Sequence, residues 1–237
     1  MLELLRLTTR RGGTIAALDY EPRRPRGVGL VVGHGYSSSK HNLDLMCGFL
    51  ASHGYRVLSL DFPGHKLGAS GGRLDSPEDL TDAMDAAVRY VRESDATPVY
   101  AVGHSMGATT ALRTCAADPA IAGAISIATG YGRLAAIDAL GGKAVDLRSA
   151  YVDGLSLPEL VTQTEPLLDA ALARLAGRPV LYIAAERDMM VSRRSATELF
   201  ERAPEPKTFV SIDSDHTYAG DNSRAAVVAW LNELHPR

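Results

Sequence analysis

Ser105 lies inside Gly103-His104-Ser105-Met106-Gly107, a G-x-S-x-G pentapeptide, and the apolar run Pro98-Val99-Tyr100-Ala101-Val102 leads straight into it. A strand that turns abruptly into a helix holds its serine on a strained tip, with the hydroxyl presented above the sheet. The two glycines leave room for the turn and for neighbouring backbone. Ala108 to Ala117 then reads as a small-residue helix able to pack closely on a sheet. The chemistry open to such a serine is nucleophilic. Its hydroxyl is a weak nucleophile at neutral pH and needs a base beside it, itself oriented by a third group.

Both partners are available further along the chain. Asp188 follows the apolar run Val180 to Ala184, and His216 follows the strand-like run ending near Ile212. In a parallel sheet the ends of successive strands lie along one edge, so Ser105, Asp188 and His216 can converge there. Two other acids compete for the third role, Glu186 and Asp215. Asp215 would have to fold back on the adjacent His216. Asp188 is therefore favoured, with Glu186 next.

The elements that must position these groups alternate with period. Leu2 to Thr8 and Thr14 to Tyr20 read as strands around the turn Arg10-Arg11-Gly12-Gly13. Val28 to Val32 is a continuous apolar run, expected of a strand buried on both faces. Further strands are expected at Arg56 to Leu60, Val99 to Val102, Ile121 to Ala128, Val180 to Ala184 and Lys207 to Ile212. Helices are expected at Leu43 to His53, stopped by Gly54, and from Ser76-Pro77-Glu78-Asp79 to about Glu93. Two more are expected from about Arg193 to Arg202 and from Asn222 to Leu234. The reading is an α/β fold, an eight-stranded, mostly parallel sheet with helices on both faces. One stretch breaks the rhythm: residues 130–177 carry Gly130, Gly132, Gly141-Gly142, Gly154, Pro158 and Pro166 before a helical run from Leu167 to Leu175. We expect a small helical cap there, inserted into a core formed by 1–129 and 178–237.

Composition narrows the class. A chain of 237 residues with 46% apolar and 22% charged residues suits one globular domain. The net charge of −3 gives no footprint for nucleic acid. Arg23, Arg24 and Arg26 are interrupted by prolines and read as a solvated loop. Cys47 and Cys115 sit in apolar helical patterns and are expected as buried thiols. No run approaches the ~18 apolar residues of a membrane span, and the N-terminus lacks the apolar segment of a signal peptide. A cytoplasmic location is expected. No ligand spacing for a metal and no nucleotide-binding glycine motif is present, so no cofactor is expected.

The chain resembles serine hydrolases of the α/β-hydrolase superfamily over nearly its whole length, nearest the small esterases and monoacylglycerol-lipase-like acyl hydrolases. The matching pieces are Gly103–Gly107, Gly33-His34-Gly35-Tyr36 after the third strand and Asp61-Phe62-Pro63-Gly64-His65 after the fourth. Where such proteins usually continue Gly-His-Gly, Lys66 replaces the second glycine, and Ser70 comes only after Leu67-Gly68-Ala69. The resemblance implies a carboxylic ester hydrolase acting on a small molecule through a Ser-His-Asp triad and an acyl-enzyme. It also implies an oxyanion hole from two backbone N–H groups, by position those of Tyr36 and Met106. An acyl thioesterase with the same triad is the alternative, and a non-catalytic ligand-binding protein on the same scaffold is a rival from another class.

Several tempting residues have blander readings. His104 adjoins the serine, but adjacent residues on a turn point apart, so a structural role beneath the oxyanion loop is expected. His34 is expected to fix its loop by hydrogen bonding. His41, His53, His65 and His235 read as surface or packing residues, and Asp138, Asp146 and Asp153 as solvated charges. Tyr36, Tyr131 and Tyr151 are candidates to line a substrate pocket, as is Tyr182.

Overall fold

The computed structural model describes residues 1–94, 96–133 and 142–236. Asp138 and Gly141 lie outside these residues. Eight strands form one sheet in the order β1-β2-β4-β3-β5-β6-β7-β8. They are β1 (Leu2–Thr8), β2 (Thr14–Tyr20), β3 (Gly29–Gly33), β4 (Arg56–Leu60), β5 (Val99–His104), β6 (Ile121–Ile127), β7 (Val180–Ala185) and β8 (Lys207–Ile212). β1 and β2 form the expected hairpin, closed by the Thr9 amide donating to the Gly13 carbonyl at 2.9 Å and by Gly12 at φ +83°. β2 meets β4 antiparallel, and every later pair is parallel.

The continuous apolar strands follow from burial on both faces. Neighbouring residues point to opposite faces of a strand. Val31 thus joins a core shared with α2 (Pro77–Glu93) and α3 (Met106–Ala117), while Leu30 and Val32 join a core on the other face. That second face is covered by α1 (Asp44–Ser52), reached through a short 3-10 turn, and by the C-terminal helix. α2 starts where its sequence says it should: Ser76 and Asp79 make a reciprocal capping box, with proline in the first turn.

Between β6 and β7 lie α4 (Gly142–Ser149), α5 (Leu157–Leu172) and a 3-10 turn at Ala173–Leu175. α5 begins ten residues before the helical run expected from Leu167, because Ser156 and Glu159 cap it and Pro158 occupies its first turn. It buries Leu157, Leu160, Leu168 and Leu172 in the same core as α2 and α3, so it serves as the crossover from β6 to β7. The residues just before it touch the loop after β4, through bridges pairing His65 with Val152 and Leu74 with Gly154. α6 (Arg193–Arg202) follows β7. The closing helix expected from Asn222 forms as α8 (Arg224–Leu234), preceded by a short α7 (Ala219–Asn222) and separated from it at the buried Ser223, whose hydroxyl donates to the Gly220 carbonyl at 2.6 Å.

Cys47 and Cys115 are both buried free thiols, and burial pushes Cys115 up to about 11. No helix among the described residues is long and apolar enough to cross a membrane. The connection from β3 goes to β4 on one side, and the chain then crosses to β5 on the other. A crevice opens at the carboxyl ends of strands where the order reverses in this way.

Candidate active site

Ser105 sits between the last residue of β5 and the first of α3, at φ +54° and ψ −112°. A non-glycine residue held at positive φ stores strain of order 1–3 kcal/mol. The surroundings fix it there: its amide donates to the Ile127 carbonyl at 2.8 Å, and its carbonyl accepts from the Ala108 and Thr109 amides. The flanking glycines are needed for a steric reason. A Cβ on Gly103 would fall 2.0 Å from the Gly107 carbonyl oxygen, and one on Gly107 would fall 2.2 Å from that of Gly33.

The loops after β7 and β8 bring Asp188 and His216 to this tip. His216 Nε2 lies 3.1 Å from Ser105 Oγ, and His216 Nδ1 lies 2.7 Å from Asp188 Oδ2. The other Asp188 oxygen accepts the Met190 and Val191 amides, each at 2.8 Å. Burial alone would raise the Asp188 carboxyl. The bonds from His216 and the two amides outweigh it and hold the group below the usual carboxylate range. The competing acids are elsewhere. Glu186 is exposed and accepts from Ser211 at 3.2 Å, and Asp215 accepts the Tyr218 amide at 3.0 Å.

His104 does not face the hydroxyl. Its Nε2–H donates to the His216 carbonyl at 2.7 Å, which pins the loop that carries the imidazole. Burial, and then the proximity of His216, lower His104 to about 3, so it stays neutral and remains a donor.

The loop after β3 passes close by. A Cβ on Gly35 would be 3.5 Å from Ser105 Cβ and 3.2 Å from His104 Nδ1. The next amide, that of Tyr36, and the Met106 amide at the first turn of α3 donate to no protein acceptor among the described residues. His34 fixes this loop twice, by Nδ1 donating to the Gly35 carbonyl at 2.8 Å and Nε2 accepting the Phe62 amide at 3.0 Å. Burial lowers His34 to about 3. Below it lies a buried ion pair, Lys40 Nζ to Asp61 Oδ2 at 2.6 Å, with the carboxylate also accepting the Lys40 and Ala69 amides at 2.7 Å. His65 packs edge-on against His34 and Tyr36 and is buried. His41 is exposed beside Asp44, His53 bonds the Phe49 carbonyl and His235 bonds the Tyr100 hydroxyl. Lys66 reaches the Ala150 carbonyl at 2.9 Å and Asp153 at 3.1 Å, so it ties the loop after β4 to the segment before α5.

An open cleft fronts Ser105 and His216. Tyr36 lines it, with its hydroxyl donating to the Leu155 carbonyl at 2.9 Å. The other candidate tyrosines are not among its lining residues. Tyr131 stacks under Arg202, whose guanidinium carbon is 3.9 Å from the ring centroid, and Tyr151 is 42% exposed. Tyr182 is buried edge-on against Phe200. A second, small and more apolar pocket adjoins, with Leu157 and Arg133 bordering both.

Arg133 is the residue that sequence reasoning passed over. It is buried at the carboxyl end of β6, with Nη2 3.5 Å from Ser105 Oγ and Nη1 3.3 Å from Thr129 Oγ1. One signal was available: Arg133 follows β6 on the same sheet edge from which Asp188 follows β7.

The family model described as "Alpha/beta hydrolase family" matches residues 30–230, and the chain belongs to that family. No curated protein matches it in sequence. Among solved structures it is similar to the esterase domain of a Rhodothermus marinus protein, at 22% identity over 98% of each chain with a TM-score of 0.73. An esterase from Pyrococcus furiosus aligns at 19% identity over 99% of this chain and 89% of that one, TM-score 0.74. An alpha-beta serine hydrolase homologue from Coxiella burnetii aligns at 16% identity over 97% of each, TM-score 0.69. At such identities these likenesses concern the fold.

Proposed function

We propose that the protein is a carboxylic ester hydrolase working through an acyl-enzyme on Ser105. The observation that carries this reading is the unbroken relay from Ser105 Oγ to His216 (3.1 Å) and on to Asp188 (2.7 Å), built on a serine held at positive φ. His216 takes the Ser105 proton as Oγ attacks the ester carbonyl. The resulting oxyanion is received by the Tyr36 and Met106 amides, and a donor of this kind is worth roughly 2.7–4 kcal/mol in the transition state. Asp188 holds the imidazole tautomer and stabilises its cation. His216 then protonates the leaving alkoxide as the C–O bond breaks. Water, deprotonated by the same imidazole, attacks the acyl-enzyme and releases the carboxylic acid, returning the proton to Ser105.

The described residues 142–177 between β6 and β7 act as the cap of this site, and α5 within them doubles as the sheet's crossover helix. The Lys66 contacts to Ala150 and Asp153 support a cap anchored to the loop after β4. The test is turnover of p-nitrophenyl acetate. Ser105→Ala is expected to reduce it about 10⁶-fold, on the scale of nucleophile removal elsewhere. Parent-level turnover by that variant refutes the assignment.

A further inference from the structure

Arg133 has no carboxylate partner for its side chain among the described residues. The buried Lys40 is matched by Asp61, and Arg56 is matched by Asp19. Arg133, 8% exposed, makes no ion pair among the described residues. A guanidinium presents five N–H donors. Its two bonds here are long and go to neutral hydroxyls, those of Ser105 and Thr129, while its Nε–H is buried with no acceptor among the described residues. The two carboxylates whose charges act on it, Asp188 and Glu165, are engaged otherwise. Asp188 holds His216, and Glu165 accepts the backbone amide of Arg133 at 3.0 Å rather than its side chain. Buried charges are almost always paired. This one ends beside the reacting hydroxyl. Arg148 lines the same cleft, and no Asp or Glu is among the cleft's described lining residues.

We propose that Arg133 binds a carboxylate belonging to the substrate, so that the site selects esters with an anionic group a short spacer from the scissile carbonyl. The proposal rests on the reading of Ser105 as nucleophile. A guanidinium meets a carboxylate through two parallel N–H bonds, which orients the substrate as well as holding it. One buried cation balances one carboxylate, whereas a dianionic phosphate would bring surplus charge into the same spot. Arg148 adds a second positive charge to the cleft. A small, mostly apolar pocket lined by Leu80, Leu160, Val161, Leu168 and Glu165 adjoins the cleft and is bordered by Arg133 itself.

The experiment compares p-nitrophenyl hydrogen adipate with p-nitrophenyl hexanoate, two esters of equal acyl length that differ by one carboxylate. The parent enzyme is expected to favour the adipate ester by about tenfold or more in kcat/KM, the scale of a hydrogen bond to a charged group. Arg133→Gln abolishes that preference, mainly through KM of the anionic ester, and Arg133→Lys keeps part of it as a point charge. With the parent enzyme alone, free adipate competes with the hexanoate ester and adipamide does not, which tests the site even where a variant misfolds. Three results overturn the carboxylate site while leaving the hydrolase standing: hexanoate turnover without adipate preference, no inhibition by adipate, or equal loss of both esters in Arg133→Gln. Absence of turnover with either ester, together with failure of a fluorophosphonate to label the protein, overturns both readings.

Discussion

Ser105 is held on its turn because the residues two places to either side, Gly103 and Gly107, carry no side chain. Gly103 and Gly107 each abut backbone at a distance no Cβ tolerates, and the turn they permit aims the hydroxyl at His216. Asp188 accepts a hydrogen bond from His216 Nδ1 and, in the proposed mechanism, fixes which imidazole nitrogen carries the proton. Asp188→Asn is expected to lower kcat on p-nitrophenyl esters about 10⁴-fold while leaving the fold intact, since the amide favours the wrong tautomer. A loss below tenfold contradicts the assigned role. Much of this site was legible in the sequence. Ser105 and His216 stand at strand ends that apolar runs mark out, and of the competing acids it is Asp188 that bonds His216 while Glu186 bonds Ser211. What was not legible is the direction in which a side chain turns. Tyr131 and Tyr151 lie on the right segment, yet one ring is stacked on Arg202 and the other is open to solvent, while Arg133, three residues from Gly130, turns inward.

At the scale of elements, the loop after β3 depends on what lies under it. Lys40 and Asp61 are buried with their charges matched and the carboxylate bonded at both oxygens. Lys40→Met leaves a buried unpaired carboxylate and is expected to cost about 3–5 kcal/mol of stability. Lys40→Met combined with Asp61→Leu is expected to recover part of that loss, as denaturant midpoints will record; a double variant no more stable than Lys40→Met contradicts the account. The strands around this loop were easy to read because burial on both faces leaves uninterrupted apolar runs. α5 was harder. Pro158 and Pro166 suggested breaks, but a proline in the first turn fills a position whose N–H has no partner, and the Ser156–Glu159 box marks the start.

For the molecule as a whole, three buried histidines impose a pH dependence on stability. His34 and His104 are held near 3, and burial lowers His65 as well. An unfolded histidine takes its proton near 6.5. Below that pH the unfolded chain binds more protons than the native one, so stability is complete above about 6.5 and declines as pH falls toward 3. At pH 5 the loss is about 2 kcal/mol for each of His34 and His104. Together they lower Tm by about 10 °C relative to pH 7.5. The depressed carboxyls of Asp61 and Asp188 add stability that disappears only at still lower pH. His104→Gln removes one titrating group and keeps an N–H donor for the His216 carbonyl, so its Tm is expected to fall less steeply over the same range. An unchanged Tm in the parent protein between pH 7.5 and 5 contradicts this picture.

Nucleophilic activation of a single hydroxyl is the claim on which the molecule's chemistry turns, and covalent capture tests it most directly. Treated with a fluorophosphonate and digested, the protein should yield one modified peptide, with the added mass on Ser105, and His216→Ala should suppress the adduct. An unmodified Ser105 in the parent protein, or an adduct that forms equally fast without the imidazole, contradicts the account.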